Sequence, residues 1–264
     1  MAVYIQDIAD ALEAWAPIPL AETYDNVGLL VGSPTREVSR VLLTLDVTEA
    51  VVAEAADMGC NLIIAHHPIW FTPRKRLTDD SYVSRTIMAA IRADIALYAA
   101  HTNLDNVHTG VNARIATRLG LTSPSILRSA PGSDGTTGAG MIGWLPESLP
   151  ADTFLNLVKT TFGCQGIRYA PGTSGMIHQV AVCGGAGSFL IPDALRRGAD
   201  AFVTADITYH KFFDAEGQML LMDIGHYESE QFTGELILSY LSEKFPNFAL
   251  HLSSIYTNPV RYWA

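Results

Sequence analysis

Ile5, Ile8, Leu12 and Trp15 recur at helical spacing with polar residues between them, so the chain opens on an amphipathic helix that ends near Pro17. Beyond the polar loop AETYDNVG the pattern changes. The apolar run VLLTLDV, residues 41–47, predicts a buried strand; Thr48 then caps the helix TEAVVAEAADMG, which Gly59 ends. NLIIA, residues 61–65, is a second strand, DDSYVSRTIMAAIRAD a second helix, and IALYAA, residues 95–100, a third strand. A further helix follows over 111–119. Apolar strands that alternate with helices predict βαβ units and a mostly parallel sheet.

Residues 122–140 break the pattern. SPSILRSAPGSDGTTGAG is rich in Ser, Gly and Pro and offers little to bury, which predicts a linker or a mobile loop. A second α/β section follows: a strand near 141–144, a helix over Ala151–Phe162, the strand HQVAVCGG, a helix ending RRG, and the strand ADAFVTAD. MLLMDIG, residues 219–225, is the last long buried strand; it leads into one helix from about Tyr227 to Lys244, then FALHLSS.

Composition narrows the classes. The 264 residues suffice for one large domain or two modest ones, and 48% hydrophobic with 17% charged residues is an ordinary globular balance. A net charge of −10 argues against a general nucleic-acid or anionic-membrane binder, whose surface must neutralise phosphates. Arg74, Lys75 and Arg76 form the tight basic cluster. Cys60, Cys164 and Cys183 are odd in number and form no CxxC pair, so neither a disulfide framework nor a thiolate zinc site is expected. The first residues lack a basic region and a cleavage site, and no apolar run approaches the ~20 residues of a membrane span. A cytoplasmic, soluble protein is the expectation.

The candidate chemistry lies at the ends of the apolar strands. His66 and His67 follow NLIIA directly, at the carboxyl edge where open parallel sheets bind ligands. Neighbouring side chains on extended chain point to opposite sides, so this pair is expected to flank two ions rather than grip one. IALYAA leads in the same way into His101 and Asp105, and MLLMDIG into His226 and Glu230, four residues apart on one helical face. VLLTLDV brings Asp46 toward the same edge. Imidazole and carboxylate together suit two divalent ions of the zinc, iron, manganese or nickel type, and a carboxylate can bridge two ions. Glu230 or Asp105 is the expected bridge. His101 and Asp46 are the candidate catalytic residues, as outer-sphere or general acid/base groups.

These residues also carry a resemblance. HHPIW, HTNLDNVHTGVN, DIGHYESE, the early YDNVGLLVG and the late TNPV together resemble the NIF-three-like family, whose bacterial members are known as GTP cyclohydrolase 1 type 2 homologues, over about Asp10 to Pro259. The resemblance implies an α/β fold of two lobes with mostly parallel sheets and a dinuclear metal site in the cleft between them. On that reading residues 1–125 with 226–264 form the metal-binding lobe and 126–225 the second lobe. The ligands carried over are His66, His67, Asp105, His226 and Glu230, and a ring-shaped homohexamer is implied. Two departures stand out: the chain has only the short 122–140 stretch where longer members insert a domain, and the usual TGD motif reads Thr204-Ala205-Asp206.

Weaker signals remain. GGAGS, residues 184–188, follows a strand and opens a helix, so it is either a phosphate cradle or a plain tight turn. Asp206 and His210, four residues apart, fit a surface or subunit-contact role better than a substrate-facing one. His108, His178 and His251 have no partners in sequence, and Trp70 and Phe71 suit either base stacking or core packing. The functional expectation is a metal-dependent hydrolase acting on a nucleotide or related small molecule through a metal-bound water. Its rival is a metal-binding regulatory, adaptor or chaperone protein without catalysis. No GxSxG elbow or strand-end cysteine offers a protein nucleophile.

Overall fold

The computed structural model describes residues 2–263. The chain divides into two compact units. The first runs to Leu104 and takes in Thr233–Pro259; the second is Asp105–Phe232 with the residues from Val260 onward. Strands are numbered β1 to β11 along the chain.

The first unit is built on β1 (Gly28–Val31), β2 (Val41–Thr44), β3 (Leu62–Ala65), β4 (Ala96–Ala99) and β11 (Leu250–Leu252), in the spatial order β1-β4-β3-β2-β11. β2, β3, β4 and β11 run parallel and β1 closes one edge antiparallel. Every residue of β2, β3 and β4 is buried, as strands covered on both faces must be. The expected helices form over Ile5–Trp15, Glu49–Asp57 and Tyr82–Arg92. Thr48 caps the second through its hydroxyl, which accepts from the Val51 amide at 3.3 Å, and Ser81 caps the third. Leu42, Ile63 and Leu97 join Val51, Val52 and Ile87 in one core. The register aligns the strand ends: Thr44 stands beside Ala65 and Ala65 beside Ala99, so three strands end level at one edge.

The second unit holds a six-stranded sheet: β5 (Thr122–Ser129), β6 (Gly138–Pro150), β7 (Arg168–Ala170), β8 (Met176–Ala186), β9 (Ala201–Ala205) and β10 (Leu220–Asp223), ordered β5-β6-β8-β9-β10-β7. Only β8, β9 and β10 are mutually parallel; the pairs β5–β6, β6–β8 and β10–β7 are antiparallel. This corrects the expectation of a mostly parallel sheet. It also corrects the reading of 122–140 as a linker, because that stretch is most of a β-hairpin. Ile126 and Leu127 are buried in it, and Gly138 lies at φ +148° with the Arg128 carbonyl where a Cβ would stand. Gly138 and Gly140 admit close approach of neighbouring chain, while Gly132 and Gly135 stand in open space in the turn. The expected 227–244 helix is two, His226–Glu230 and Thr233–Lys244, parted where the chain passes between units. Among the described residues no helix is long and apolar enough to cross a membrane.

Glu54 ties the segment after β11 to the Glu49–Asp57 helix by accepting from both Ser253 and Ser254. Partial burial pushes its carboxyl pKa up, but these hydrogen bonds outweigh it and hold the pKa below the ordinary 4.5. A depressed carboxylate pKa stabilises the fold above its unfolded value and loses that contribution as pH falls through the folded value. Glu54→Gln should therefore be less stable than wild type at about pH 7, with the gap closing by about pH 3, as read by urea denaturation at each pH. A gap independent of pH would show that the ionised carboxylate is not what holds the segment.

Candidate metal centre

In the first unit, the level ends of β2, β3 and β4 release Asp46, His66–His67 and His101 at one edge. His66 and His67 do not alternate as an extended strand would require. Their amides bond back to the Thr44 and Leu45 carbonyls while the chain bends, and the two rings lie on one side with centroids 5.0 Å apart. This corrects the expectation that they point apart. The His101 ring stands 5.1 Å from that of His66 and 5.4 Å from that of His67. One ring nitrogen from each of the three lies within 4.8 Å of the others.

Each ring is pinned by its Nδ1. The His66 Nδ1–H donates to the Ala100 carbonyl at 2.8 Å, His67 to Asp46 Oδ1 at 2.7 Å, and His101 to Asp25 Oδ1 at 2.9 Å. Asp46 is steadied in turn by Thr257, whose hydroxyl donates to Oδ2 at 2.6 Å. Asp25 accepts further from the Asn26 and Thr102 amides and from the Thr102 hydroxyl, and its side chain is fully buried. Burial pushes its carboxyl pKa up, but the His101 and Thr102 interactions prevail and leave it at about 2. Nδ1 protonation leaves Nε2 as the nitrogen of each ring that could hold a metal ion.

The second unit repeats the device. β8, β9 and β10 end on one edge, where Gly184–Gly185, Asp206 and His226 emerge. His226 Nδ1 donates to Asp206 Oδ2 at 2.7 Å, and His226 Nε2 lies 3.0 Å from Glu230 Oε2, one helical turn on. Burial presses the His226 pKa down, yet the hydrogen bonds to Asp206 and Glu230 overcome it and lift it to about 11. A cation taken up between that imidazole and carboxylate would displace the Nε2 proton. Asp105 ends the short helix Thr102–Asp105, and its carbonyl accepts from Asn112 Nδ2. Asp105 and Glu230 both act on the Cys183 thiol: burial first, then these two negative charges, drive its pKa far up.

The glycine pair has a specific task here. Gly184 donates to Asn112 Oδ1 and Gly185 to Ser229 Oγ, each at 2.9 Å, while Gly187 donates to Thr204 Oγ1. Those three amides are engaged within the protein and are not turned to a phosphate. Gly185 sits at φ +57°, and a Cβ on it would fall 2.6 Å from Glu230 Oε1.

The Duf34/NIF3 (NGG1p interacting factor 3) family model matches residues 3–259. This chain belongs to that family. A Clostridium perfringens member named GTP cyclohydrolase 1 type 2 homolog is 37% identical over 227 residues, 86% of each chain. A Lactococcus lactis protein of the same name is 36% identical over 97% of this chain and 98% of its own. The crystal structure of a Bacillus cereus protein related to NIF3 superposes over all of both chains with a TM-score of 0.91 at 26% identity.

Within this NIF3-family chain, His66, His67, His101 and Asp46 gather in the first unit, and His226 with Glu230 in the second. Sequence reasoning missed Asp25, and it placed Asp206 at the surface, where the residue is exposed, without foreseeing its hydrogen bond to His226. Asp206 had a signal, since it follows the buried strand β9 as His66 follows β3. Asp25 follows no apolar strand, and only the fold brings it beneath His101. His210 is exposed against Tyr209, and His178 is exposed, while Phe71 lies 5.6 Å from the His101 ring and Trp70 packs on the core.

Gly185→Ala tests the close approach. The left-handed backbone alone costs an alanine about 1 kcal/mol, and forcing a methyl against Glu230 adds roughly 1–3 kcal/mol. Gly59, at φ +69° with nothing within 4 Å of its Cβ position, is the control. Gly185→Ala should lose clearly more stability than Gly59→Ala in denaturant titrations; equal losses would remove the steric argument.

Proposed function

We propose that the chain is a dinuclear divalent-metal-dependent hydrolase acting on a nucleotide or related small molecule, with His66, His67, Asp105, His226 and Glu230 as ligands. The observation that carries this reading is the common state of the histidines. His66, His67 and His226 each direct Nδ1 to an acceptor built into the fold, as metal-ligating imidazoles do. Imidazole with carboxylate suits Zn²⁺, Fe²⁺, Mn²⁺ or Ni²⁺. The name of the Clostridium and Lactococcus relatives supports a nucleotide substrate.

Two such ions would activate a water and polarise a phosphoryl or carbonyl oxygen. The chain's own residues prepare for that. Asp46 and Asp206 keep the proton on Nδ1 of His67 and His226 and fix the ring planes, so both are positioning residues. Five protein ligands cannot fill two coordination shells, which leaves positions for substrate and favours chemistry over a closed structural site. The cysteines take no part: burial raises all three thiol pKa values, Cys164 to about 12, and a protonated thiol is a poor nucleophile. A cytoplasmic homohexamer completes the proposal, so light scattering should give about six times the 28.6 kDa chain mass.

Elemental analysis of metal-loaded protein should return about two ions per chain. GTP hydrolysis should vanish with chelator and return with one of the four metals, while Cys183→Ser leaves turnover nearly intact. Asp206→Asn should weaken metal affinity by about 10–100-fold. A metal content near zero with excess supplied would rule the centre out, and activity that survives exhaustive chelation would rule out the mechanism. Two bound ions with no substrate turned over would favour the rival metal-carrying adaptor.

A further inference from the structure

Trp70 and Phe71 suited base stacking and core packing alike in sequence, and the structure divides them. Trp70 packs on the core of the first unit, and its carbonyl accepts from Asn26 Nδ2 at 3.0 Å. Phe71, the next residue, is 47% exposed, with its ring 5.6 Å from that of His101 and tilted 60° to it. A phenyl ring held in water beside a histidine forgoes the burial that a core would give it. The segment continues through Pro73 into Arg74, Lys75 and Arg76, and residues 71–80 are all exposed and outside helix or strand. Arg74 Nη1 donates to Ser84 Oγ at 3.3 Å, and among the described residues none of the three cations has a carboxylate partner. We propose that residues 71–76 are a nucleotide-reading arm: Phe71 stacks on a planar heterocycle held beside the histidines, and Arg74, Lys75 and Arg76 take the phosphates that trail from it.

Three adjacent cations repel one another, and in a chain of net charge −10 they stand apart from its carboxylates. The nearest acidic residues along the loop, Asp79 and Asp80, precede the Ser81 cap, where negative charge favours the start of the Tyr82–Arg92 helix. Arg85 donates to the Asp79 carbonyl at 3.2 Å and is itself paired with Glu49. The loop is therefore tied at both ends, by Asn26 at Trp70 and by Arg85 at Asp79, while its middle presents cations to solvent. Arginine forks and a lysine point charge suit phosphate oxygens. The order along the arm, apolar ring first and cations after, is the order of a nucleotide, whose base is flat and weakly polar and whose far end is anionic. Extended chain carries Arg74 no more than about 10 Å and Arg76 no more than about 17 Å from Phe71, the scale of one nucleoside polyphosphate. Because Phe71 is the member that touches His101, the heterocycle and not the phosphate chain lies toward the histidines.

The inference rests on the reading of the substrate as a nucleotide, but its test is independent of the metal. Full-length protein is titrated by equilibrium dialysis with guanosine, GTP and inorganic tripolyphosphate. Chelator is present throughout, because a bound ion would attract phosphates whatever the arm did. Wild type should bind GTP at least about 10-fold more tightly than guanosine, since charge-assisted hydrogen bonds to phosphate are added. Lys75→Ala/Arg76→Ala should weaken GTP and tripolyphosphate at least about 10-fold and leave guanosine unchanged. Phe71→Ala should weaken guanosine and GTP about 10-fold and leave tripolyphosphate unchanged, and Phe71→Trp should restore both. All these side chains are exposed and outside regular elements, so circular dichroism and metal content should match wild type. GTP bound no more tightly than guanosine, or variants that shift all three ligands alike, would overturn the arm. A single-stranded oligonucleotide that displaces GTP at lower concentration than GTP itself would also overturn it, by assigning the cations to nucleic acid. Any of these results with metal content intact would leave the metal-dependent hydrolase reading in place, and loss of the metal reading would leave the arm's binding measurable.

Discussion

His66, His67, His101 and His226 each give the Nδ1 proton to an acceptor that the fold places behind the ring, and the candidate centre depends on those four hydrogen bonds. An imidazole has two nitrogens and can turn about its χ angles, so a histidine at a strand end is by itself a poor predictor of coordination. Fixing Nδ1 on Ala100, Asp46, Asp25 or Asp206 settles the tautomer and the ring plane together. What coordinates is then set by the backbone, because it decides where the acceptors stand.

The backbone achieves this through register. Where β2, β3 and β4 run parallel and end level, three chain crossings leave the sheet side by side, and polar residues that are distant in sequence become neighbours. The same holds for β8, β9 and β10. Buried apolar strands bear a charged group only where it is paired, as Asp223 at the end of β10 is with Arg168, so the first residues past each strand are where such chemistry can begin. Gly184 and Gly185 add a second constraint: lacking side chains, they let the end of β8 lie against Glu230.

Much of this could be read from the sequence. The apolar runs that became β2, β3, β4 and β10 are buried throughout, and the residues just past them are the candidate site residues. What escaped has a common cause. Asp25 lies in a polar loop with no period, and its role exists only because the fold brings that loop beneath His101. The β5–β6 hairpin was hidden because Gly138 and Gly140 serve close packing, while composition alone makes glycine look like a hinge. The convergence of His66 and His67 was missed because the strand stops at Ala65, one residue before the alternation of side chains would have separated them.

X-ray absorption at the metal edge of the loaded wild-type protein is the sharpest probe of a histidine-built dinuclear centre. It should show nitrogen and oxygen neighbours at about 2.0–2.2 Å, the outer-ring scattering of several imidazoles, and a metal–metal distance of about 3.5–4 Å. Sulfur neighbours near 2.3 Å, or a first shell without imidazole scattering, would contradict it.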